Sequence, residues 1–196
     1  MSMLERRAVT AQLLRNRGEA LLVTGLGSPT YDAFAVADSP LNFYLWGAMG
    51  SASMVGLGLA GAQPGRRVVV VTGDGEMLMG LGALATIAVQ QPRNLAIVVL
   101  DNERYGETGM QASHTAFGVD LAAVAKACGF VSATMVTTIE QVSRLRADLH
   151  RAEGPLFAQV KVAPDKLQLV LPPRDGAHLK DRFREALLGK DAYFQR

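Results

Sequence analysis

Two polar segments that each follow an apolar run carry the side chains best suited to chemistry. Gly73-Asp74-Gly75 follows Val68 to Val71, and Asp101-Asn102 follows Leu95 to Leu100. Both runs predict buried strands, and the carboxyl ends of neighbouring parallel strands lie side by side at the edge where ligands bind. A carboxylate and an amide oxygen are typical ligands of Mg²⁺ or Ca²⁺. We therefore expect Asp74 and Asn102 to form a divalent cation site.

The residues around Asp74 also suit an anion. Glycines at 73 and 75 allow the backbone to approach a ligand closely. A helix expected to begin at Glu76 would present free N–H groups to a negative charge. A cation beside an anion site indicates a metal-bridged diphosphate.

Helical and strand periodicities alternate along the chain, which predicts strands joined by right-handed helical crossovers. The predicted strands are Ala20 to Thr24, Arg67 to Thr72, Leu95 to Leu100, Phe130 to Val136 and Leu156 to Val162, the last nearer the edge. The predicted helices are Leu4 to Leu14, about Met49 to Gly61, Glu76 to Gln90, Leu121 to Cys128, one capped by Thr137 and Glu140 with Ile139 in its buried stripe, and Leu179 to Leu187. We therefore expect one doubly wound α/β domain over residues 1–196, a parallel sheet with helices on both faces.

Composition excludes several classes of protein. The net charge is +2, from 20 basic and 18 acidic residues, and 6% of residues are aromatic, which argues against nucleic-acid binding. No apolar stretch approaches the ~20 residues of a membrane span. The single cysteine, Cys128, excludes an internal disulfide. The charged segment Met1 to Arg17 does not fit a signal peptide, so we expect a cytoplasmic protein.

A second glycine pattern, Gly56-Leu57-Gly58-Leu59-Ala60-Gly61, fits the dinucleotide fingerprint G-x-G-x-x-G. That fingerprint follows a strand and opens a helix. Here the glycines fall inside a predicted helix, so we expect them to allow close packing against a neighbouring helix or subunit.

The two polar segments and their spacing resemble the cofactor-binding signature of thiamine diphosphate-dependent enzymes. Gly47-Ala48-Met49-Gly50 also fits the diphosphate-binding domain of that family. Residues 100–109 and 115–121 resemble the β subunits of sulfopyruvate decarboxylase and, less closely, phosphonopyruvate decarboxylase. The resemblance covers roughly Ala20 to Val162.

This resemblance implies a set of site residues. Asp74, the Asn102 side-chain oxygen and the Arg104 carbonyl would bind Mg²⁺. Gly47 would accept a hydrogen bond from the cofactor's amino group, and Met49 would support the bent cofactor. The full set implied for thiamine diphosphate is Gly25, Ser28, Gly47, Ala48, Met49, Gly73, Asp74, Gly75, Glu76, Asn102, Arg104, Tyr105, Gly106 and Glu107.

Several of these residues admit a second interpretation. His114 lies in a polar loop where a substrate would meet the cofactor, so it is a candidate proton donor or acceptor, or else an exposed loop residue. Met49 could be a core residue, and the Arg104 side chain could bind an anionic substrate or point away. Glu76 places a negative charge near the diphosphate unless it points to a partner chain.

The family's catalytic glutamate lies in a separate pyrimidine-binding domain, for which this chain has no room. The resemblance therefore implies a β subunit whose active site is completed by an α subunit, with self-association possible when the chain is alone. The implied reaction is non-oxidative decarboxylation of a small, sulfopyruvate-like 2-oxo acid, and carboligation remains open. The alternatives are the diphosphate-binding subunit of a 2-oxoacid oxidoreductase and a non-catalytic cofactor-binding or regulatory subunit.

Overall fold

The computed structural model describes residues 3–151 and 153–194 and contains a six-stranded parallel sheet. The strands of this sheet are β1 (Leu21–Thr24), β2 (Asn42–Tyr44), β3 (Val68–Gly73), β4 (Leu95–Asp101), β7 (Ser132–Val136) and β8 (Leu156–Lys161). Their spatial order is β2-β1-β3-β4-β8-β7. Two further strands, β5 (Arg104–Tyr105) and β6 (Gln111–Ala112), form a small antiparallel hairpin.

Helices connect the strands. The α-helices are α1 (Arg6–Leu14), α2 (Ser28–Ala37), α3 (Ala52–Ala62), α4 (Asp74–Met79), α5 (Ala83–Gln90), α6 (Leu121–Cys128), α7 (Ile139–Arg151) and α8 (Gly176–Leu188). Two 3₁₀ helices span His114–Phe117 and Gly189–Tyr193. None of the helices in the described part of the chain is long and apolar enough to cross a membrane.

The core lies in two layers, one on each face of the sheet. Alternate residues of β3 enter opposite layers, because side chains of a strand point to alternate faces. Val69 and Val71 pack with the apolar faces of α1 and α7, whereas Val68 and Val70 pack with those of α3 and α5. The predicted doubly wound α/β fold is confirmed.

Two elements, strand β2 at the edge of the sheet and helix α2, were not predicted. The short strand β2 and the helix α2 fall where the sequence pattern indicates no element. β2 has only three residues, too few to establish an alternating pattern. The strand expected nearer the edge, β8, lies one place inside it, because β7 covers its outer side.

The predicted helix from Glu76 to Gln90 is wrong as a single helix. It is broken between Met79 and Ala83, where Gly80 packs directly on the backbone of Gly50. A side chain at position 80 would overlap the Gly50 carbonyl oxygen, so the contact requires glycine. The contact joins the end of α4 to the loop that precedes α3.

The predicted cap of α7 is displaced by one residue. Gln141 Oε1 accepts hydrogen bonds from the backbone of Thr137 and Thr138, and Thr138 Oγ1 accepts one from the Gln141 N–H at 3.3 Å. The pair is therefore Thr138 with Gln141, which keeps the three-residue spacing of a capping box. Ile139, predicted to be buried, is 42% exposed because the helix begins there.

The glycines of the dinucleotide-like pattern lie inside α3, as predicted. A Cβ at Gly56 would overlap the Val70 side chain on β3, so this glycine brings α3 against the sheet and not against another helix. A Cβ added at Gly58 or Gly61 would have no neighbouring atom within 4 Å, so these two glycines face outward.

Candidate functional site

The ends of β3 and β4 lie side by side, as the sequence predicts. Their register pairs Gly73 with Leu100, so Asp74 and Asn102 leave adjacent strands at the same edge. A cleft opens there, and most of the predicted cofactor residues line it. They are Ser28, Met49, Gly73, Asp74, Gly75, Glu76, Asn102, Arg104, Tyr105, Gly106 and Glu107. Gly25, Gly47 and Ala48 lie outside this lining, although Gly25 precedes and Ala48 adjoins residues that contribute to it.

Asp74 is the first residue of α4 and is 2% exposed. Ser113 Oγ donates to its Oδ2 at 2.5 Å, and Thr115 Oγ1 lies 3.3 Å from the same oxygen. Burial raises the pKa of Asp74 to about 6, and the nearby Asp101 charge adds to that effect, while the Ser113 hydrogen bond opposes it. No lysine or arginine of the described residues forms an ion pair with Asp74.

Asp101 is fully buried at the end of β4 and has a different environment. Lys161 Nζ lies 2.9 Å from its Oδ2, and Gln159 Nε2 donates to the same oxygen at 2.6 Å. Thr115 Oγ1 donates to Oδ1 at 2.7 Å. Asp101 therefore ties β4 to β8 and to the 3₁₀ helix at His114.

The oxygen donors at this edge fit a hard divalent cation. Asp74 supplies a buried carboxylate, and no lysine or arginine in the described part of the chain forms an ion pair with it. Asn102 supplies an amide oxygen, which accepts a hydrogen bond from the Arg104 N–H at 3.0 Å. The described residues hold no group of three or more His, Cys, Asp and Glu side chains placed to bind a metal. A metal at this edge would therefore depend on a mixed set of carboxylate, amide and carbonyl oxygens, which suits Mg²⁺.

Glu76 does not point to a partner chain. Its side chain is buried, and its carboxylate accepts hydrogen bonds from Thr72 Oγ1 at 2.9 Å and from the Ala52 N–H at 3.4 Å. Burial raises the pKa of Glu76, and these bonds, with others from the Gly50 and Leu26 backbone, act in the opposite direction. Glu76, in α4, thus connects strand β3 and the loop that follows β1 with the start of α3.

The same carboxylate explains one glycine in the predicted set. A Cβ at Gly25 would overlap Glu76 Oε2. The structure therefore gives Gly25 a packing role beneath the cleft, whatever its relation to a ligand.

The β5–β6 hairpin lies over the cleft. The Tyr105 ring covers Gly75, where an added Cβ would lie 2.6 Å from the ring, so a larger residue at position 75 would displace the ring. Glu107, near the hairpin tip, accepts a hydrogen bond from Tyr31 at 3.3 Å and lies against Gly27. Residues 104 to 108 thus form one wall of the cleft.

Strained backbone is concentrated in the loops of the cleft. Five described residues other than glycine have a positive φ, and three of them are Ala48 (49°), Glu103 (62°) and Met110 (63°). A non-glycine residue in this region costs about 1–3 kcal/mol and persists only where its surroundings enforce it. These loops are therefore held in specific conformations.

His114 begins the 3₁₀ helix and is exposed. Its Nδ1 lies 3.1 Å from the Tyr105 hydroxyl, and Tyr105 lines the cleft, whereas His114 does not. The structure therefore connects His114 to the cleft through Tyr105.

Several residues of the site were not found by sequence reasoning. Arg6 lines the cleft, and its Nε lies 2.5 Å from Oδ2 of Asp32, which is fully buried. Ser113, Thr115 and Lys161 surround the two aspartates. Lys161 is 60 positions from Asp101, and Ser113 is 39 positions from Asp74, so only the fold brings these pairs together. Ser113 and Thr115 follow Asn102 more closely, but no local pattern shows that their hydroxyls turn toward the aspartates.

The fold and the site together define a class of protein. Residues 27–160 match the family described as "Thiamine pyrophosphate enzyme, C-terminal TPP binding domain", and the chain belongs to this family. The predicted family is thereby confirmed.

Named relatives narrow the comparison. The chain is 39% identical over 187 residues to the sulfopyruvate decarboxylase subunit beta of Methanothermobacter thermautotrophicus, covering 95% of this chain and 97% of the relative. It is 34% identical to the protein of the same name from Methanocaldococcus jannaschii, covering 91% and 95%. It is also 39% identical to the phosphonopyruvate decarboxylase of Streptomyces viridochromogenes, covering 85% of this chain and 42% of that protein.

A solved structure supports the fold. A putative thiamin diphosphate-dependent enzyme from Mycobacterium smegmatis superposes with a TM-score of 0.71 at 23% identity, covering 83% of this chain. The chain spans about a third (32%) of the length of that structure.

Proposed function

We propose that this chain is the β subunit of a thiamine diphosphate- and Mg²⁺-dependent decarboxylase acting on a small, sulfopyruvate-like 2-oxo acid. The observation that carries the proposal is the buried Asp74 carboxylate beside Asn102, in a cleft lined by the rest of the family signature. The near full-length match to two proteins named sulfopyruvate decarboxylase subunit beta supports the choice of reaction.

The proposal assigns the metal to Asp74, Asn102 and the Arg104 carbonyl. These oxygens would hold Mg²⁺, and the backbone at Gly75 and Glu76 would hold the diphosphate. When bound, the cofactor supplies the electron sink that makes loss of CO₂ from a 2-oxo acid feasible. Burial of Asp74 helps its carboxylate select a cation, because a charge in a poorly hydrated site interacts strongly with an ion of opposite sign.

The chain's own residues would orient the cofactor and shield it from water. Met49 lines the cleft and its flexible side chain suits the support of a bent ligand. Gly47 has a φ of 76° and precedes the strained Ala48, so its carbonyl is held in a fixed direction. Tyr105 would form the wall near the substrate, and His114, as a candidate proton donor or acceptor, would act on the cleft only through the Tyr105 hydroxyl to which it is hydrogen-bonded.

The Glu76 carboxylate, which the sequence places near the diphosphate, is hydrogen-bonded within the chain. The carboxylate accepts hydrogen bonds from Thr72 and from the backbone of three other residues. These neutral donors do not cancel its charge, but burial raises the pKa of Glu76, which favours the uncharged form that a neighbouring diphosphate would tolerate.

The proposal includes a partner. The relatives named as beta subunits favour an α subunit that carries the pyrimidine-binding domain and the catalytic glutamate. Hetero-oligomeric assembly follows from this division, with self-association of the isolated chain as the alternative when no partner is present. A cytoplasmic location stays a prediction of the sequence.

Calorimetric titration with thiamine diphosphate and Mg²⁺ tests the proposal. The wild-type chain, alone or with a co-expressed α subunit, should bind the cofactor only when Mg²⁺ is present. Asp74→Ala should abolish binding, whereas Asp181→Ala, which removes a carboxylate on the exposed side of α8, should leave it unchanged. Cofactor binding by Asp74→Ala equal to wild type would refute the assigned site.

A turnover assay tests the division of labour. The β chain alone should give almost no decarboxylation of sulfopyruvate, and addition of the α subunit should restore it. Robust turnover by the isolated chain would overturn the two-subunit proposal while leaving the cofactor site intact.

A further inference from the structure

One buried serine, Ser113, hydrogen-bonds to the proposed metal ligand Asp74 and to the loop that carries the second proposed ligand, Asn102. Ser113 is fully buried, and its Oγ donates to Asp74 Oδ2 at 2.5 Å. Its backbone N–H donates to the carbonyl of Glu103 at 3.0 Å, directly after Asn102. A single residue is thus bonded to the carboxylate that follows β3 and to the loop that follows β4.

The neighbouring threonine fixes the segment that carries Ser113. Thr115 Oγ1 lies 2.7 Å from Asp101 Oδ1, 2.9 Å from Ser113 Oγ and 3.3 Å from Asp74 Oδ2. A hydroxyl has one proton to donate. The shortest contacts therefore assign the Thr115 proton to Asp101 and the Ser113 proton to Asp74.

Asp101 is in turn held by β8. Its other oxygen accepts from Gln159 at 2.6 Å and from Lys161 at 2.9 Å. The chain of contacts runs from Lys161 through Asp101 and Thr115 to the 3₁₀ helix beside Ser113. This anchorage limits how far Ser113 can move with respect to the two strands.

We propose that Ser113 is a positioning residue for the metal: it holds the Asp74 carboxylate by Oδ2 and keeps it in register with the Asn102 loop. Thr115 supports this role by fixing the segment to Asp101. The inference rests on the proposed function, because it requires Asp74 and Asn102 to be metal ligands. Partners that orient a metal ligand contribute strongly to affinity, and their loss typically costs 10–100-fold.

Metal titration of Ser113→Ala tests the inference. Calorimetric titration with thiamine diphosphate at a series of Mg²⁺ concentrations provides the measurement. We expect the Mg²⁺ concentration for half-maximal binding of thiamine diphosphate to rise at least about tenfold. Binding at saturating Mg²⁺ should be retained. A role in folding alone would lower the melting temperature and leave the metal half-saturation unchanged.

A second pair of variants decides the question if Ser113→Ala does not fold. Thr115→Val keeps the shape and removes the hydroxyl, whereas Thr115→Ser keeps the hydroxyl. We expect Thr115→Val to weaken metal binding and Thr115→Ser to remain within about twofold of wild type. Ser143→Ala is the control, because Ser143 is on α7 and donates to the Ile139 carbonyl.

The outcomes separate the two proposals. A half-saturation within about twofold of wild type in folded Ser113→Ala, or equal values for Thr115→Val and Thr115→Ser, overturns the positioning role. If Asp74→Ala still abolishes binding, the proposed function survives that result. If the wild-type chain binds no cofactor in a metal-dependent manner even with its partner, both proposals fail.

Discussion

Asp74 and Asp101 lie at the ends of neighbouring strands of the same sheet, yet they have opposite electrostatic environments. Asp101 is fully buried and pairs with Lys161 and Gln159. Asp74 is almost as buried, but its side-chain partners are the hydroxyls of Ser113 and Thr115. Within the described part of the chain, one carboxylate is therefore neutralised by a cation and the other is not.

The difference in pairing indicates that the buried charge of Asp101 serves the fold, whereas that of Asp74 serves ligand binding. Burying a carboxylate without a cation costs free energy, which raises the pKa of Asp74 to about 6. A bound divalent ion would offset that cost. Burial of Asp101 is already offset within the fold, so we expect its loss to affect folding more than ligand binding.

The largest expected effect is that of Asp101→Ala. It leaves Lys161, Gln159 and Thr115 without their common acceptor, and breaking a buried pair typically costs about 3–5 kcal/mol of unfolding free energy. Chemical denaturation measures this change. Asp101→Asn retains an acceptor for Thr115 and should lose less. A loss below about 1 kcal/mol for the alanine variant would contradict the structural role of Asp101.

Gly25→Ala should have the next largest effect. Its added Cβ would overlap Glu76 Oε2, and overpacking of this kind typically costs about 1–3 kcal/mol. Gly58→Ala in α3 is the matched control, because no atom lies within 4 Å of the added group and the substitution should stabilise the helix. Equal unfolding free energies for the two variants would show that the Glu76 side chain can move aside at little cost. The packing at the polar end of the sheet would then not be tight.

Asp74→Asn should change stability little, which sharpens the comparison with Asp101. The amide oxygen can still accept from Ser113, and the substitution leaves no described lysine or arginine unpaired. In a metal-free buffer at neutral pH we expect a free energy of unfolding within about 1 kcal/mol of wild type, or higher. Denaturation in the presence of a chelator provides the measurement. A loss as large as that of Asp101→Ala would remove the distinction between the two sites.

The smallest expected effect is a dependence on alkaline pH. Burial lowers the pKa of Lys161, but the hydrogen bonds and charges of Asp101 and Glu103 outweigh it and hold the pKa above its usual 10.5. Because the pKa is raised on folding, this contribution to stability is full below pH 10.5 and is lost as the pH rises through the folded-state value. The difference in unfolding free energy between wild type and Lys161→Met should therefore become smaller as the pH rises through the folded-state pKa of Lys161. A difference that stays constant with pH would exclude the ion pair as its source.

Much of the fold could be predicted because the central strands are short, continuous apolar runs. Val68 to Val71 and Leu95 to Leu100 are so apolar that they require burial on both faces. The strand β2 was missed because its three residues are too few to show a pattern, and the break at Gly80 was missed because it depends on a contact with a residue distant in sequence. Gly80 is a helix break because Gly50 packs on it, and no local pattern encodes that neighbour.

The candidate site divides in a similar way. The glycines beside Asp74 and the spacing to Asn102 predicted a cleft that these residues do line. The sequence could not show that Glu76 turns inward, because its partners come from strand β3, from the loop after β1 and from the start of α3. His114 was placed near the cleft but lies on its outer side, in contact with Tyr105.

The sequence by itself determined the fold class, the family and the edge of the sheet at which polar residues gather. These properties follow from local periodicity and from short motifs, which survive without knowledge of distant contacts. Only the tertiary structure decided which buried aspartate keeps a cationic partner. Lys161 reaches Asp101 through the crossovers between β4 and β8, whereas Ser113 and Thr115 reach the two carboxylates through the hairpin that follows β4. The electrostatic environment of a buried charge depends on such neighbours.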